Sequence, residues 1–163
     1  MKMVNNLSLD WKQCQKDFEF DGSWRDIYIL DTVSNDWNIF LESLLTSSYE
    51  TKFWIDGKIV KPIKTIQEAL KIRNSACPLM IINASGLHIA CHFFTEEEIE
   101  FDIDPREVND WQDLNKVIDF IIFVGNLLQK KVILTPENTS SAILINYNPE
   151  TESLEHHNAE FMF

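Results

Sequence analysis

The sequence predicts an α+β fold, mainly an antiparallel sheet with helices packed on one face, and three observations point there. Apolar runs recur in pairs around turn dipeptides, namely Asp21-Gly22, Asp56-Gly57 and Ser85-Gly86. Between these pairs lie stretches whose apolar residues return every three to four positions, the period of an amphipathic helix. Successive hairpins with few crossover units favour antiparallel pairing. At 163 residues the chain is expected to form one domain, 1–163, with residues 1–6 and the polar tail 149–160 as its soft ends.

Taken in order, Leu7, Trp11, Cys14 and Phe18 share a helical face. Asp21-Gly22 is expected to turn a hairpin between Phe18–Phe20 and the strand-like run Trp24–Leu30. Ser34 or Asn35 is expected to cap a helix carrying Trp37, Phe40, Leu41, Leu44 and Leu45. Phe53 to Val60 reads as a hairpin closed by Asp56-Gly57. Thr65-Ile66-Gln67-Glu68 has capping-box spacing, opening a helix to about Arg73. Leu79–Asn83, Leu87–Phe94 and Glu98–Ile103 read as a three-stranded meander. Asn109 or Asp110 opens the longest helix, Trp111 to about Gln129, apolar on more than one face. Val132–Leu134 and Ala142–Ile145 are expected to pair across the loop Pro136–Ser140. The five tryptophans fall mainly on apolar faces and are assigned to the core.

Composition excludes more than it selects. The net charge is −12. A surface of that sign repels phosphate backbones and anionic headgroups, so neither nucleic acid nor membrane is expected as a partner, and a basic protein is. Three cysteines, Cys14, Cys77 and Cys91, have no disulfide-framework spacing. The first residues do not read as a signal peptide, and Ile118–Leu128 is about half a bilayer span. A cytoplasmic protein is expected. Four scattered glycines assemble neither a P-loop nor a dinucleotide fingerprint. There is no H-E-x-x-H, G-x-S-x-G or C-x-x-C. No cofactor and no metal is expected, and an enzyme is disfavoured.

Three clusters are candidates for function. His88, Cys91 and His92 lie in a strand-like run. Two strand residues four apart are roughly 13 Å from each other. His88 and His92 would then share a face, with Cys91 on the other, and no single metal could join them without further ligands. His156-His157, in the polar tail, is expected to be solvated. The second candidate is the acidic block from Glu96 to Asp113, with nine acidic residues and Arg106 as its only base. Within it Ile99, Phe101 and Ile103 alternate with Glu98, Glu100, Asp102 and Asp104, so a strand would bury the first set and present a carboxylate row. That row is expected to steer and bind a basic protein. The plainer reading is a solvated face that protects an edge strand. The third candidate is the loop Thr135–Ser141, either a ligand loop or a plain hairpin connection.

The opening Phe20-Asp21-Gly22-Ser23-Trp24-Arg25-Asp26-Ile27-Tyr28 resembles that of a group of small bacterial proteins. The helix Phe120–Leu128, the run Val132-Ile133-Leu134-Thr135-Pro136-Glu137 and the ending Tyr147-Asn148-Pro149 resemble the C-terminal half of several toxin-immunity proteins. The resemblance spans much of the chain without a catalytic signature and transfers no residue role. It implies a non-enzymatic protein that blocks a toxin by binding it, through an acidic surface where the toxin is a basic nuclease. The leading expectation is therefore an acidic protein-binding module whose contact residues are Glu98, Glu100, Asp102 and Asp104. The alternatives are an enzyme or small-ligand binder with a pocket near His88, His92 or the Pro136 loop, and a structural homo-oligomeric domain.

Overall fold

The computed structural model describes residues 7–157. It contains four α-helices and one nine-stranded sheet, every adjacent pair antiparallel. In chain order the elements are α1 (Trp11–Cys14, continued by a 3-10 turn, Gln15–Phe18), β1 (Arg25–Leu30), α2 (Ser34–Leu45), β2 (Glu50–Ile55), β3 (Lys58–Val60) and α3 (Ile66–Arg73). Then come β4 (Pro78–Ala84), β5 (Leu87–His92), β6 (Glu98–Ile103), a 3-10 turn at Pro105–Glu107, α4 (Trp111–Leu128), β7 (Val132–Pro136), β8 (Ile145–Asn148) and β9 (Ser153–His156). The strands lie side by side as β3-β2-β4-β5-β6-β1-β7-β8-β9.

Alternation along each strand divides the sheet into two faces. Ile27 and Ile29 of β1, Met80 and Ile82 of β4, Ile99, Phe101 and Ile103 of β6, and Val132 and Leu134 of β7 point into one core, all buried. Helices cover that face. Phe101 is the hub, edge-on to Phe40 of α2 (5.4 Å between centroids) and to Phe120 of α4 (5.0 Å). Burying aromatic rings of this size supplies much of the driving force, and edge-to-face geometry adds about 1 kcal/mol per pair.

Local chemistry sets most of the boundaries. The Asp110 side chain accepts from Asp113 N and starts α4, while Gln129 ends it in the left-handed region. Thr65 accepts from Glu68 N and starts α3. Asp56 and Gly57 both have positive φ (48° and 79°), as the two-residue turn between β2 and β3 requires.

Five expectations need correction. Asp21-Gly22 does not turn a hairpin. The segment is held as a loop by the buried Arg25, whose guanidinium donates to the Asp17, Glu19 and Ser23 carbonyls and to the Asp21 carboxylate. Strand β1 pairs instead with β6 and β7, distant in sequence. The α2 cap lies one residue earlier than expected, at Val33, whose N–H donates to Asp36. The tail beyond Pro149 contains a strand, β9, paired with β8; the expected soft end 1–6 and residues 158–160 lie outside the described residues. His156 is not solvated, since its Nε2 lies 2.6 Å from the buried Asp17 carboxylate, tying β9 to the 3-10 turn after α1. Of the tryptophans only Trp37 is fully buried, while Trp24 and Trp111 are exposed.

Candidate functional site

On the second face of the sheet, the one away from the helices, the side chains of Lys52, Ile81, Ala90, Asp102, Asp26 and Thr135 form one cross-strand row, each opposite the next. Asp26 therefore faces Asp102 directly, and Tyr28 faces Glu100. Oxygens of Asp26, Glu100 and Asp102 lie within 4.8 Å of one another. Three carboxylates have been gathered by two neighbouring strands at the centre of the sheet.

The expected carboxylate row is thus present but differently placed. Strand β6 is the fifth of nine, not an edge, so its acidic residues protect no strand end. Glu98, Glu100, Asp102 and Asp104 are each half-buried. Asp104 is committed within the chain: it accepts from Arg106 N and pairs with the Arg106 guanidinium at 2.9 Å, which holds its carboxyl below the usual range. Asp26, which sequence reasoning did not select, completes the group. It is 1 % exposed and accepts from Tyr28 Oη (2.9 Å) and from the backbone N–H of Asn138 (2.7 Å). Alternation in Arg25–Leu30 marks Asp26, Tyr28 and Leu30 as one face, but only the strand order puts them beside β6.

Electrostatics follow from this crowding. Burial, then the Asp26, Asp102 and Glu98 charges, push Glu100 up to about 7. Burial raises Asp26 as well, and Asp102 adds to the rise against the two hydrogen bonds that lower it. Tyr28 is raised by burial and by its bond to Asp26, so it stays a phenol and a donor. The nearest cation-forming group is His92, whose Nε2 lies 3.0 Å from Asp102; that contact raises its pKa. One imidazole does not balance three carboxylates. Near neutrality Glu100 is close to its midpoint, and an incoming cation would favour its charged form. Oxygen donors this close could also be bridged by a hard divalent ion.

The histidines do not converge. His88 meets Glu107 (2.9 Å) and His92 meets Asp102, while Cys91 is buried on the helix side with Ile89 and Phe93. Burial raises the Cys91 thiol strongly.

The loop between β7 and β8 crosses the same face of the sheet. Beneath it opens a cleft of about 410 Å³ lined by Tyr28, Leu30, Ile133, Lys130, Ser140 and Ile143, among others. A second cleft, between Phe18, Phe20 and Arg106, lies at the N-terminal segment. Neither is lined by His88 or His92. Among the described residues no helix is long and apolar enough to cross a membrane. No family model matches the chain, no curated protein matches it, and no solved structure matches it.

Proposed function

We propose that this protein is an acidic binding module that takes a basic side chain of a partner protein on the helix-free face of its sheet, at Glu100 and Asp102, with the buried Asp26 behind them and Glu98 at the margin. One observation carries the reading: three carboxylates on two central strands lie within 4.8 Å of one another, and among the described residues the cation-forming group paired with them is His92, at Asp102. Burial and crowding raise Glu100 and Asp26, so an added positive charge relieves the cluster. A lysine or arginine arriving about 5 Å from two of the carboxylates gains roughly 3 kcal/mol from each at an effective dielectric near 20, before its own desolvation is subtracted. The net charge of −12 would speed the encounter. The resemblance to toxin-immunity proteins fits the same reading, with occlusion of a basic toxin as the activity.

A protonated Glu100 is also what a general acid requires. Neither cleft described above is lined by Glu100 or His92.

The test begins with affinity capture from cells and elution by salt. The captured basic protein is then purified, and its affinity is measured for the native chain and for the triple variant Glu98→Lys, Glu100→Lys, Asp102→Lys. A loss of at least about a hundredfold, roughly 2.7 kcal/mol, is expected. Unchanged affinity in a folded triple variant, or capture of no basic protein, would overturn the assignment.

A further inference from the structure

We infer that the cleft beneath the β7–β8 loop binds a small amphiphilic monoanion, a carboxylate on an apolar chain, with the chain against Leu30, Ile133 and Ile143 and the carboxylate held by Lys130 and Lys131. The cleft volume, about 410 Å³, falls in the range of small-ligand sites and equals about fourteen water-sized volumes, room for a chain of about eight carbons. Its sheet side is apolar and open: Leu30 is 40 % exposed, although it sits on a strand otherwise buried throughout. Such a surface loses free energy in water unless something covers it.

The polar end is built for an anion. The chain has 14 basic residues against 26 acidic ones, yet two adjacent lysines line this one apolar cleft. Lys130 is held in place, its Nζ donating to the Asp31 carbonyl (3.1 Å) and lying 3.8 Å from the Asp36 carboxylate. Lys131, the exposed neighbour, supplies the second ammonium. Asp31 also lines the cleft and Asp36 pairs with Lys130, so two lysines face two aspartates, and Lys131, which has no ion-pair partner among the described residues, is the ammonium left for a single negative charge. Ser140 adds a hydroxyl to the polar lining.

The loop over the cleft is a folded one. Asn138 N–H donates to Asp26 (2.7 Å), Ala142 N–H to the Thr139 carbonyl (3.0 Å) and Leu144 N–H to the Leu134 carbonyl (2.8 Å). A preformed wall spares a ligand the cost of ordering it. The Tyr28 ring lines the cleft while its hydroxyl bonds Asp26, so one side chain separates the site from the carboxylate cluster.

Octanoate is the probe, with octanol and octylamine as chain-matched controls, read by methyl NMR of the full chain. Saturable shifts at Leu30, Ile133 and Ile143 are expected with octanoate, at least tenfold weaker ones with octanol, and none with octylamine. The double variant Lys130→Met, Lys131→Met is expected to weaken octanoate at least tenfold and leave octanol unchanged. Ile143→Trp, which fills the cleft, is expected to remove both. Equal affinity for octanol and octanoate, octanoate binding that survives the double lysine variant, or no saturable shifts up to about 10 mM would each overturn the inference. The comparison of octanoate with octanol needs no variant, so misfolding of a mutant cannot decide it.

Discussion

At the scale of single residues, the central carboxylates tie stability to pH. A carboxyl whose folded pKa is raised binds its proton more tightly in the folded state. Its stabilising contribution is complete below the unfolded pKa, near 4, and is lost as pH rises through the folded value. For Glu100 that window runs from about 4 to about 7. Glu100→Gln removes the penalty. It is expected to raise stability at pH 8 by about 1 kcal/mol, allowing for solvent screening at a half-buried site, and to change it little at pH 4. Urea denaturation at the two pH values checks this; equal effects at both would disconnect Glu100 from the titration. The thiols offer a second residue-scale test. Burial pushes Cys14 up to about 12 and Cys91 well above its ordinary value, whereas Cys77 is exposed. A thiol reagent is expected to modify one cysteine in the native protein and three after denaturation, counted by intact mass.

At the scale of elements, α4 and β8 meet at Gly125. A Cβ there would lie 2.7 Å from Tyr147 Cδ2 and 3.3 Å from Val132 Cγ2. Alanine is the better helix former by about 1 kcal/mol, but overpacking costs about 1–3 kcal/mol. The ring cannot swing away cheaply, because Tyr147 Oη donates to Asn126. Gly125→Ala is therefore expected to lower the urea midpoint, whereas the same change in an open helix would raise it. Strand β9 depends on a different contact. His156→Ala leaves the buried Asp17 carboxylate without its partner and is expected to cost about 1–3 kcal/mol, with β9 amides losing hydrogen-exchange protection first. Elements of this kind were unevenly legible in the sequence. Strand β6 was read to its exact residues, because alternation over Glu98–Ile103 is a local signal. Strand β9 was missed, because Ser153-Leu154-Glu155-His156 carries no apolar alternation and is fixed by pairing with β8 and by Asp17. The candidate site was half legible for the same reason: Glu100 and Asp102 announce themselves on β6, whereas Asp26 joins them only through non-local register.

At the scale of the whole molecule, a net charge of −12 works against compaction. Raising the salt concentration screens that repulsion, over a distance that falls from about 30 Å at 0.01 M to about 10 Å at 0.1 M. The urea midpoint at pH 8 is accordingly expected to rise with sodium chloride, and to rise less in the Glu98→Lys, Glu100→Lys, Asp102→Lys variant. An equal rise in both would assign the repulsion to the surface at large. Strand β1 bears on the molecule in another way. It is the first strand among the described residues, yet it lies between β6 and β7, whose residues come some seventy and one hundred positions later. On a ribosome adding about 5–20 residues per second, Ile27 and Ile29 would emerge roughly 4–15 seconds before the first strand they pair with exists. The sheet cannot grow in the order in which it is made. It must close around its own beginning, and until then its future middle is an unpaired apolar strand open to whatever other chain or chaperone reaches it first.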